Sequence, residues 1–348
     1  MRHFMQTDLK FMEKIMSNAL EYTAVVPVAG MGTRLRPHTY TYPKVMLTVG
    51  DKPIIGHIID RLSSAGIKKI VLVTGYLGSK IRSYVDKNYP ELHITYVEQT
   101  EQKGLGHAIW LTRSNVSGPV LIMLGDTIID ADISKFINAE HDCIAVKEVE
   151  DPRRFGVVET DGKFITAMVE KPEHPKTNLA IVGIYAFRKS ESVYAALQGV
   201  LDSGKTTKGE IQFTDAMALM VANGHKIQPM TIDGWYDCGK ADTLLQTNRF
   251  ILGKNPAGHD FSPKIDGCLI VPPVYVSPTA KVENSIIGPN VSVGDGVHIA
   301  GTIISDSIIN ENATIQDMNL ESTLVGPGAI VRGFRNKLNV GENSEIKL

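Results

Sequence analysis

The chain has few cysteines, no excess of charge of either sign and no long apolar run. Cys143, Cys238 and Cys268 lie far apart without a CxxC pair, so we expect no disulfide framework and a reducing, cytoplasmic setting. The formal net charge is −2, without the basic field that nucleic acid or an anionic membrane surface would require. We therefore predict no nucleic-acid partner and, because no apolar run is long enough to span a bilayer either, no membrane association.

The two common glycine-rich phosphate fingerprints are also missing. The stretch VPVAGMGTRLRPHTYTYPKVML lacks the Gly-Lys-Ser/Thr of a P-loop and the third glycine of a dinucleotide fingerprint. It nevertheless combines Gly30 and Gly32 with Arg34 and Lys44. Glycines allow backbone N–H groups to approach phosphate oxygens, and the two cations supply fixed positive charge. We therefore predict that this loop binds a polyphosphate.

Residues 1–22 form an extension that lacks the apolar core of a signal peptide. Apolar residues recur in it at helical spacing, which favours an amphipathic helix that packs on the body of the protein or on a partner. An alternative is that translation starts at Met12 or Met16 and the extension is dispensable. The recurring residues are Met5, Leu9, Met12, Met16 and Ala19.

From Thr23 onward, apolar strands alternate with amphipathic helices, and residues 23–252 are predicted to form one α/β domain. Its strands are apolar on both faces, which indicates a mostly parallel sheet. The binding crevice of such a sheet lies beyond the carboxyl ends of the strands. The glycine-containing loop follows the first strand and Asp126 follows the fourth, so both are expected at this edge.

The remainder of the chain is predicted to be a linker, residues 253–268, followed by a repeat, residues 269–348. Val276, Val293, Ile309 and Val325 lie 17, 16 and 16 residues apart, and each opens a similar pentad. A period this short, with about three aliphatic steps per coil, indicates a parallel β-helix of about four coils. An irregular β-sandwich is the alternative, and the tail after Arg332 is expected to be a cap or an extended arm. The intervening aliphatics are Val282, Ile287, Ile299, Ile304, Ile315 and Leu320.

The motifs AGMGTRLRP, Pro43-Lys44 and DKP, in this order, resemble the sugar-1-phosphate nucleotidyltransferases, whose signature is G-x-G-T-R-L-x-P with a later P-K. The resemblance extends from Val25 to about Arg249. It implies a Rossmann-like nucleotidyltransferase domain, and the length and repeats resemble long glucose-1-phosphate thymidylyltransferases with a left-handed β-helix. The implied reaction is attack of a sugar 1-phosphate on the α-phosphorus of a nucleoside triphosphate, with release of pyrophosphate.

The resemblance also implies roles for particular residues. Arg34 would hold the leaving β- and γ-phosphates, while Lys44 and Lys171 would bridge the α-phosphate and the sugar phosphate. Asp126 and Asp237 would hold Mg²⁺, which commonly binds one or two carboxylates together with substrate phosphates. The nucleotide-binding residues would be Ala29, Gly30, Gly32, Thr33, Gln99 and Gly104, and the sugar-phosphate-binding residues would be Gly156, Glu170, Lys171 and Val182.

The sequence leaves open whether the triphosphate is UTP or dTTP, because a single methyl group separates them. Glucose 1-phosphate is the expected sugar, although an epimer or amino sugar would change only one or two hydrogen bonds. Two alternative functions are a non-catalytic regulatory protein and a bifunctional enzyme whose β-helix transfers an acyl group. The second would need a catalytic base such as His298, which stands alone among the repeats. We expect a homo-oligomer formed through the β-helix.

Overall fold

The computed structural model describes residue 19 and residues 21–254 and 264–334. They fall into two compact units, one containing the chain up to Leu47 and Lys52–Thr243, the other Thr48–Asp51 and the chain from Leu244 onward. Most of the predicted N-terminal helix, of the linker and of the C-terminal tail lies outside the described residues. Just before the first strand, Ala19 and Tyr22 are buried.

The first unit is built on a nine-stranded sheet, with β8 joined to both β11 and β12. The main strand order is β10-β9-β11-β6-β1-β4-β5. Strand β1 pairs in parallel with β4 and β6, and β4 pairs in parallel with β5, so the mostly parallel sheet is confirmed. Strands β9 to β11 are antiparallel members that extend one side. The strands are β1 Thr23–Pro27, β2 Thr48–Val49, β3 Lys52–Pro53, β4 Lys69–Thr74, β5 His93–Glu98, β6 Val120–Met123, β7 Thr127–Asp130, β8 Asp142–Glu148, β9 Gly156–Thr160, β10 Ile165–Glu170, β11 Leu179–Phe187, β12 Ile227–Thr231 and β13 Gly234–Asp237.

Amphipathic helices connect these strands, as the apolar spacing predicts. Helix α1 buries Ile54, Ile58 and Leu62 on one face, since these residues recur every four positions. The predicted helix after Gly104 is shorter than expected: it ends at Trp110 and a 3-10 turn, Leu111–Ser114, follows. There the Thr112 hydroxyl donates to the Ile109 carbonyl at 2.7 Å, a side-chain bond that competes with continued helix. The helices are α1 Ile54–Ser64, α2 Gly78–Asn88, α3 Leu105–Trp110, α4 Ile133–Ile137, α5 Ser190–Asp202, α6 Phe213–Ala222 and α7 Ala241–Lys254.

The second unit contains three parallel sheets of four short strands each, the architecture of a left-handed β-helix. Val276, Val293, Ile309 and Val325 pair in register from coil to coil, which confirms the predicted period. The intervening aliphatics form the other two ladders and fill the interior. The strands are β14 Leu269–Ile270, β15 Val274–Val276, β16 Lys281–Glu283, β17 Ile286–Ile287, β18 Val291–Val293, β19 His298–Ala300, β20 Ile303–Ser305, β21 Ile308–Ile309, β22 Thr314–Gln316, β23 Asn319–Glu321, β24 Leu324–Val325 and β25 Ile330–Arg332.

Many corners of the β-helix are made by polar residues in the left-handed conformation. Asparagine and aspartate tolerate this conformation better than other side chains, because they can hydrogen-bond to the nearby backbone. These residues therefore allow the chain to turn without glycine at each corner. The corner residues with positive φ are Asn284, Asn290, Asp306, Asn312, Asp317 and Ser322.

Helix α7 covers one face of the β-helix. Arg249 forms an ion pair with Asp306, and this guanidinium holds the pKa of the Asp306 carboxyl below its usual range. Ser292 and Ile308, which point outward from this face, are buried. The helix continues to Lys254, two residues beyond the predicted end of the α/β domain at residue 252. The boundary between the two compact units falls between Thr243 and Leu244. Within the described residues, no helix has both the length and the apolar character needed to cross a membrane.

Candidate active site

Two adjoining cavities open at the carboxyl edge of the sheet. The first, of about 510 Å³, is lined by the loop after β1 and by the segment before α3. The second, of about 590 Å³, is lined by parts of β9 to β11 and β13. Arg34 and Asp126 border both cavities. Every residue predicted for the site lines at least one of the two cavities. The first cavity is lined by Ala29, Gly30, Gly32, Thr33, Lys44, Gln99 and Gly104. The second is lined by Gly156, Glu170, Lys171, Val182 and Asp237.

The loop after β1 is held by close packing at Gly32. This residue has a φ of 61°, and a Cβ placed on it would lie 2.9 Å from the Cβ of Lys44. The Thr39 hydroxyl donates to the Gly32 carbonyl at 2.8 Å, which closes the loop on itself. A side chain at position 32 would therefore both strain the backbone and push Lys44 away. Glycine here brings the turn that carries Arg34 against the turn that carries Lys44.

An ion pair lies where the two cavities meet. The Lys44 ammonium, on a residue only 6% exposed, donates to the Asp126 carboxylate at 2.9 Å. The Thr127 hydroxyl donates to the other oxygen of Asp126 at 3.1 Å. Burial alone would raise the pKa of Asp126, but Lys44, Thr127 and the more distant Arg34 favour the charged form and bring it below its usual range. Asp126 is therefore a carboxylate at neutral pH.

A short antiparallel pair places a second carboxylate nearby. In the β7–β13 pair, Asp237 is opposite Thr127, the neighbour of Asp126, and the Cys238 N–H donates to the Asp126 carbonyl at 3.1 Å. Cys238 itself is buried. The described residues contain no group of three or more His, Cys, Asp or Glu side chains that could enclose a metal. Two carboxylates beside a phosphate cavity suit Mg²⁺, which keeps water and substrate phosphates as its other ligands.

Gln99 is buried in the wall of the first cavity. Its amide nitrogen lies 3.2 Å from both the Gly104 carbonyl and the His107 ring, which leaves the amide oxygen available to a ligand. Desolvation and Lys103 lower the pKa of His107 below its ordinary value, so the ring is neutral at pH 7. His107 therefore lies at the start of α3 as a neutral ring that contacts Gln99. Gln102, which the sequence analysis did not select, donates to the Ala29 carbonyl at 3.1 Å and lines the same cavity.

The second cavity has a compact polar wall around Gly156. A Cβ on Gly156 would lie 2.9 Å from a Glu170 carboxylate oxygen and 2.9 Å from the Thr214 hydroxyl. Thr214 donates to that same carboxylate at 2.6 Å, and Lys171 lies 3.2 Å from its other oxygen. Lys171 has a φ of 44°, a conformation that is uncommon outside glycine and is frequent at functional sites.

Several residues of the second cavity were missed by the sequence analysis. The segment GEIQFTDA, residues 209–216, lines part of this cavity, but the sequence analysis assigns no site residue to it. Lys208, just before it, lines the cavity and has a φ of 55°, and the described structure gives its ammonium no ion-pair partner. The indole N–H of Trp235 is buried without a hydrogen-bond partner among the described residues. A lysine in a turn or a tryptophan in a short strand carries no distinctive sequence signal, so only the fold could reveal them.

Fold and site together define an α/β protein with two adjoining cavities at the carboxyl edge of its sheet, a pair of aspartates beside them and a C-terminal β-helix. The family model described as nucleotidyl transferase matches residues 23–254. The chain belongs to this family of nucleotidyltransferases.

Individual relatives are similar over most of the chain. The glucose-1-phosphate thymidylyltransferase of Streptomyces antibioticus is 31% identical, covering 93% of this chain and 99% of its own length. The protein named UTP--glucose-1-phosphate uridylyltransferase AglF of Haloferax volcanii is 37% identical over 61% of this chain and 88% of its own. Among solved structures, UDP-glucose pyrophosphorylase complexed with UDP-glucose has a TM-score of 0.60 and 28% identity, covering 67% of this chain and 99% of that one.

Proposed function

We infer that the protein joins a sugar 1-phosphate to the nucleoside monophosphate part of a nucleoside triphosphate and releases pyrophosphate. The observation that carries this inference is the wall shared by two cavities, because a transfer reaction needs two substrates that meet at one charged point. The charged residues of that wall are Arg34, Asp126 and Glu210, with Lys44 bound to Asp126. The relatives named for transfer of a thymidylyl or uridylyl group to glucose 1-phosphate support the same reaction.

The chain's own residues would act mainly by position and charge. A phosphate monoester is already an anionic nucleophile at neutral pH, so no histidine base is required. The barrier lies in bringing two anions together and in stabilising the pyrophosphate as it leaves. We propose that Arg34 and the N–H groups of the Gly30–Thr33 loop hold the leaving phosphates. Lys44 would hold the α-phosphate from the Asp126 side.

Asp126 and Asp237 are the residues that would hold Mg²⁺. When bound there, the ion would supply charge neutralisation for the phosphates of the triphosphate. In the described structure the Lys44 ammonium is bound to Asp126, and we propose that it moves onto a phosphate oxygen when substrate enters.

On the sugar side, we propose that Lys171 and Lys208 bind the phosphate of the sugar from two directions. Glu170 and the Gly156 backbone would bind ring hydroxyls, with Val182 beside the ring. The Trp235 side chain lines the same cavity. Glucose 1-phosphate with either dTTP or UTP is the proposed pair. In the first cavity, the free Gln99 oxygen would accept the N–H that thymine and uracil share.

The direct test is pyrophosphate release over a grid of nucleoside triphosphates and sugar 1-phosphates with Mg²⁺. Turnover is expected with glucose 1-phosphate and at least one pyrimidine triphosphate. If no combination releases pyrophosphate, the non-catalytic alternative replaces the proposed function. An acyl-CoA thiol-release assay on the nucleotide-sugar product tests the bifunctional alternative, for which His298 is the candidate base.

Replacing Gly156 by alanine should selectively weaken sugar binding. The added methyl group would collide with Glu170 and Thr214, whose hydrogen bond shapes the pocket. We expect the KM for the sugar 1-phosphate to rise about tenfold or more, equivalent to about 1.4 kcal/mol of lost binding, with little change in the KM for the triphosphate. Steady-state kinetics measure both. Gly253→Ala is the matched control, since a Cβ at this helical position meets nothing within 4 Å; equal effects of the two variants would contradict the assignment.

We also propose that the protein is a homo-oligomer and that one face of the β-helix forms part of the interface. Of its three outer faces, one is covered by α7 and another carries the polar ladder Lys281–His298–Thr314. The third carries Leu269, Ile286 and Ile303, paired in register and 58%, 36% and 47% exposed. This aliphatic ladder is uncharged and therefore complementary to a second copy of itself.

A lysine in the middle of this ladder should weaken the oligomer. In Ile303→Lys, an ammonium would have to be desolvated between two aliphatic surfaces, so we expect dissociation at micromolar concentrations where the unmodified protein is associated. Thr314→Lys places the same charge on the polar face and should have no effect. Sedimentation velocity distinguishes the two. A monomeric unmodified protein at these concentrations would contradict the oligomer, and an associated Ile303→Lys variant would contradict the interface.

The proposed setting is cytoplasmic, which fits three cysteines that are all free thiols.

A further inference from the structure

A buried amide on α7 lies at a junction within the second unit. Asn248 is 0% exposed, and its side-chain oxygen accepts hydrogen bonds from the Gly50 N–H and the Ser292 hydroxyl, each at 2.7 Å. Its side-chain nitrogen donates to the Asn290 carbonyl at 3.2 Å. One side chain therefore binds both the β-helix and a short segment from a distant part of the chain, Thr48–Asp51.

The segment is fitted closely to the helix at this point. Gly50 has a φ of 64°, and a Cβ on it would lie 2.3 Å from the Ile251 side chain. A glycine is therefore required for the backbone to come this close to α7. Because the Gly50 N–H is buried, it needs an acceptor, and Asn248 supplies it.

This segment is continuous with the substrate loop. Lys44–Met46 form the 3-10 turn that carries the phosphate-binding lysine, and Leu47 leads directly into Thr48. Only three residues separate Lys44 from a segment that is fixed by Asn248. A shift of the segment would be transmitted along the backbone to Lys44. The Lys44 ammonium would then miss its position beside the phosphate, which must be correct to within about 0.5 Å for effective catalysis.

We propose that Asn248 is a positioning residue: through its bond to the Gly50 N–H, it fixes the end of the loop that carries Lys44 and makes turnover depend on the β-helix unit. The proposal rests on the proposed function for its catalytic consequence. Its structural part, the anchoring of residues 48–51, stands independently. The β-helix then contributes to catalysis without supplying any group that touches substrate.

The first arm of the test needs no substrate. Hydrogen exchange of a peptide that spans Lys44–Asp51 is measured in the full chain and in Asn248→Ala, with an expected acceleration of about tenfold or more at the amides of the segment. In Asn248→Asp the carboxyl is expected to stay protonated, because this position is fully buried and faces the Asn290 carbonyl. The variant then keeps an oxygen acceptor for Gly50 and Ser292 and a donor for Asn290, so it should retain protection, and it also serves if Asn248→Ala does not fold. Unchanged exchange in a folded Asn248→Ala, or exchange in Asn248→Asp as fast as in Asn248→Ala, would overturn the proposal.

The second arm measures turnover and melting temperature together. Asn248→Ala should lower kcat by about tenfold or more, while the KM for the sugar 1-phosphate, which binds to other elements, stays the same. The controls are Arg249→Ala and Ser292→Ala, which remove contacts between the same helix and the β-helix but leave the Gly50 bond in place. They should lower the melting temperature without lowering kcat. If kcat follows the melting temperature in all three variants, the role of Asn248 is structural only.

The two arms separate this proposal from the proposed function. An unmodified protein that shows no turnover with any substrate pair refutes the function, whereas the exchange measurement still decides whether Asn248 anchors the segment. Turnover in the unmodified protein, together with rapid exchange but normal kcat in Asn248→Ala, refutes the positioning role and leaves the function intact.

Discussion

Replacement of Arg34 by alanine is expected to lower turnover at least about 100-fold, the usual size for the loss of one charged partner of a transition state. Arg34 borders both cavities, as does Asp126, and its charge helps to lower the pKa of the Asp126 carboxyl. Negative charge builds up on the leaving pyrophosphate during the reaction. A cation at this place therefore stabilises the transition state more than the ground state. The measurement is pyrophosphate release at saturating substrates and Mg²⁺.

Arg36 provides a control two residues away. Its guanidinium lies 4.9 Å from the centre of the Tyr40 ring and does not line either cavity. Arg36→Ala removes the same charge from the same loop, so it should retain turnover close to that of the unmodified protein. Near-normal turnover of Arg34→Ala, or an equal loss in both variants, would be incompatible with the proposed role of Arg34.

The Asp126→Asn variant is expected to lose turnover to a similar degree and, in addition, to require more Mg²⁺. Asparagine is nearly the same size, and its oxygen can still accept from Lys44, so the fold should survive. The asparagine side chain lacks the negative charge that binds a divalent cation and that keeps the Lys44 ammonium in place. Turnover measured across a Mg²⁺ titration should therefore show a lower maximum and a higher midpoint.

The control for this variant is Asp132→Asn, in the same part of the chain. Asp132 accepts from the Ser134 N–H at the start of α4, and asparagine performs this capping role about as well. Asp132→Asn should therefore have unchanged kinetics. A Mg²⁺ midpoint that does not move in Asp126→Asn would mean that Asp126 is not a metal ligand, even if turnover falls.

The sequence predicted the parts of this protein that depend on periodic patterns. Strand β1 and helix α1 follow from apolar spacing, and the β-helix ladders follow from the 16- to 17-residue period, because each buried aliphatic must recur where the next coil stacks. The prediction of a polyphosphate-binding loop has a related basis, because its candidate residues are concentrated in one short stretch between Gly30 and Lys44.

Residues that act across large sequence separations were harder to predict from the sequence. Thr214 bonds to Glu170, and Asn248 bonds to Gly50, Ser292 and Asn290, all of them distant in the sequence. Such partners are set by folding, and a threonine or an asparagine in a helix is equally consistent with a solvated surface. Lys208 was missed for the same reason, since an isolated lysine next to a glycine predicts an ordinary turn.

The stacked coils also constrain how the length of this protein can change. Each aliphatic residue of one coil is aligned with its counterpart in the next along three separate sheets. Insertion or deletion of one complete coil preserves all three alignments. So does the one-residue difference between the 17- and 16-residue steps, since Val293 is in register with both Val276 and Ile309. A gap within a strand would instead misalign the coils that follow it, so the C-terminal region can change in length by whole coils or at the corners between strands.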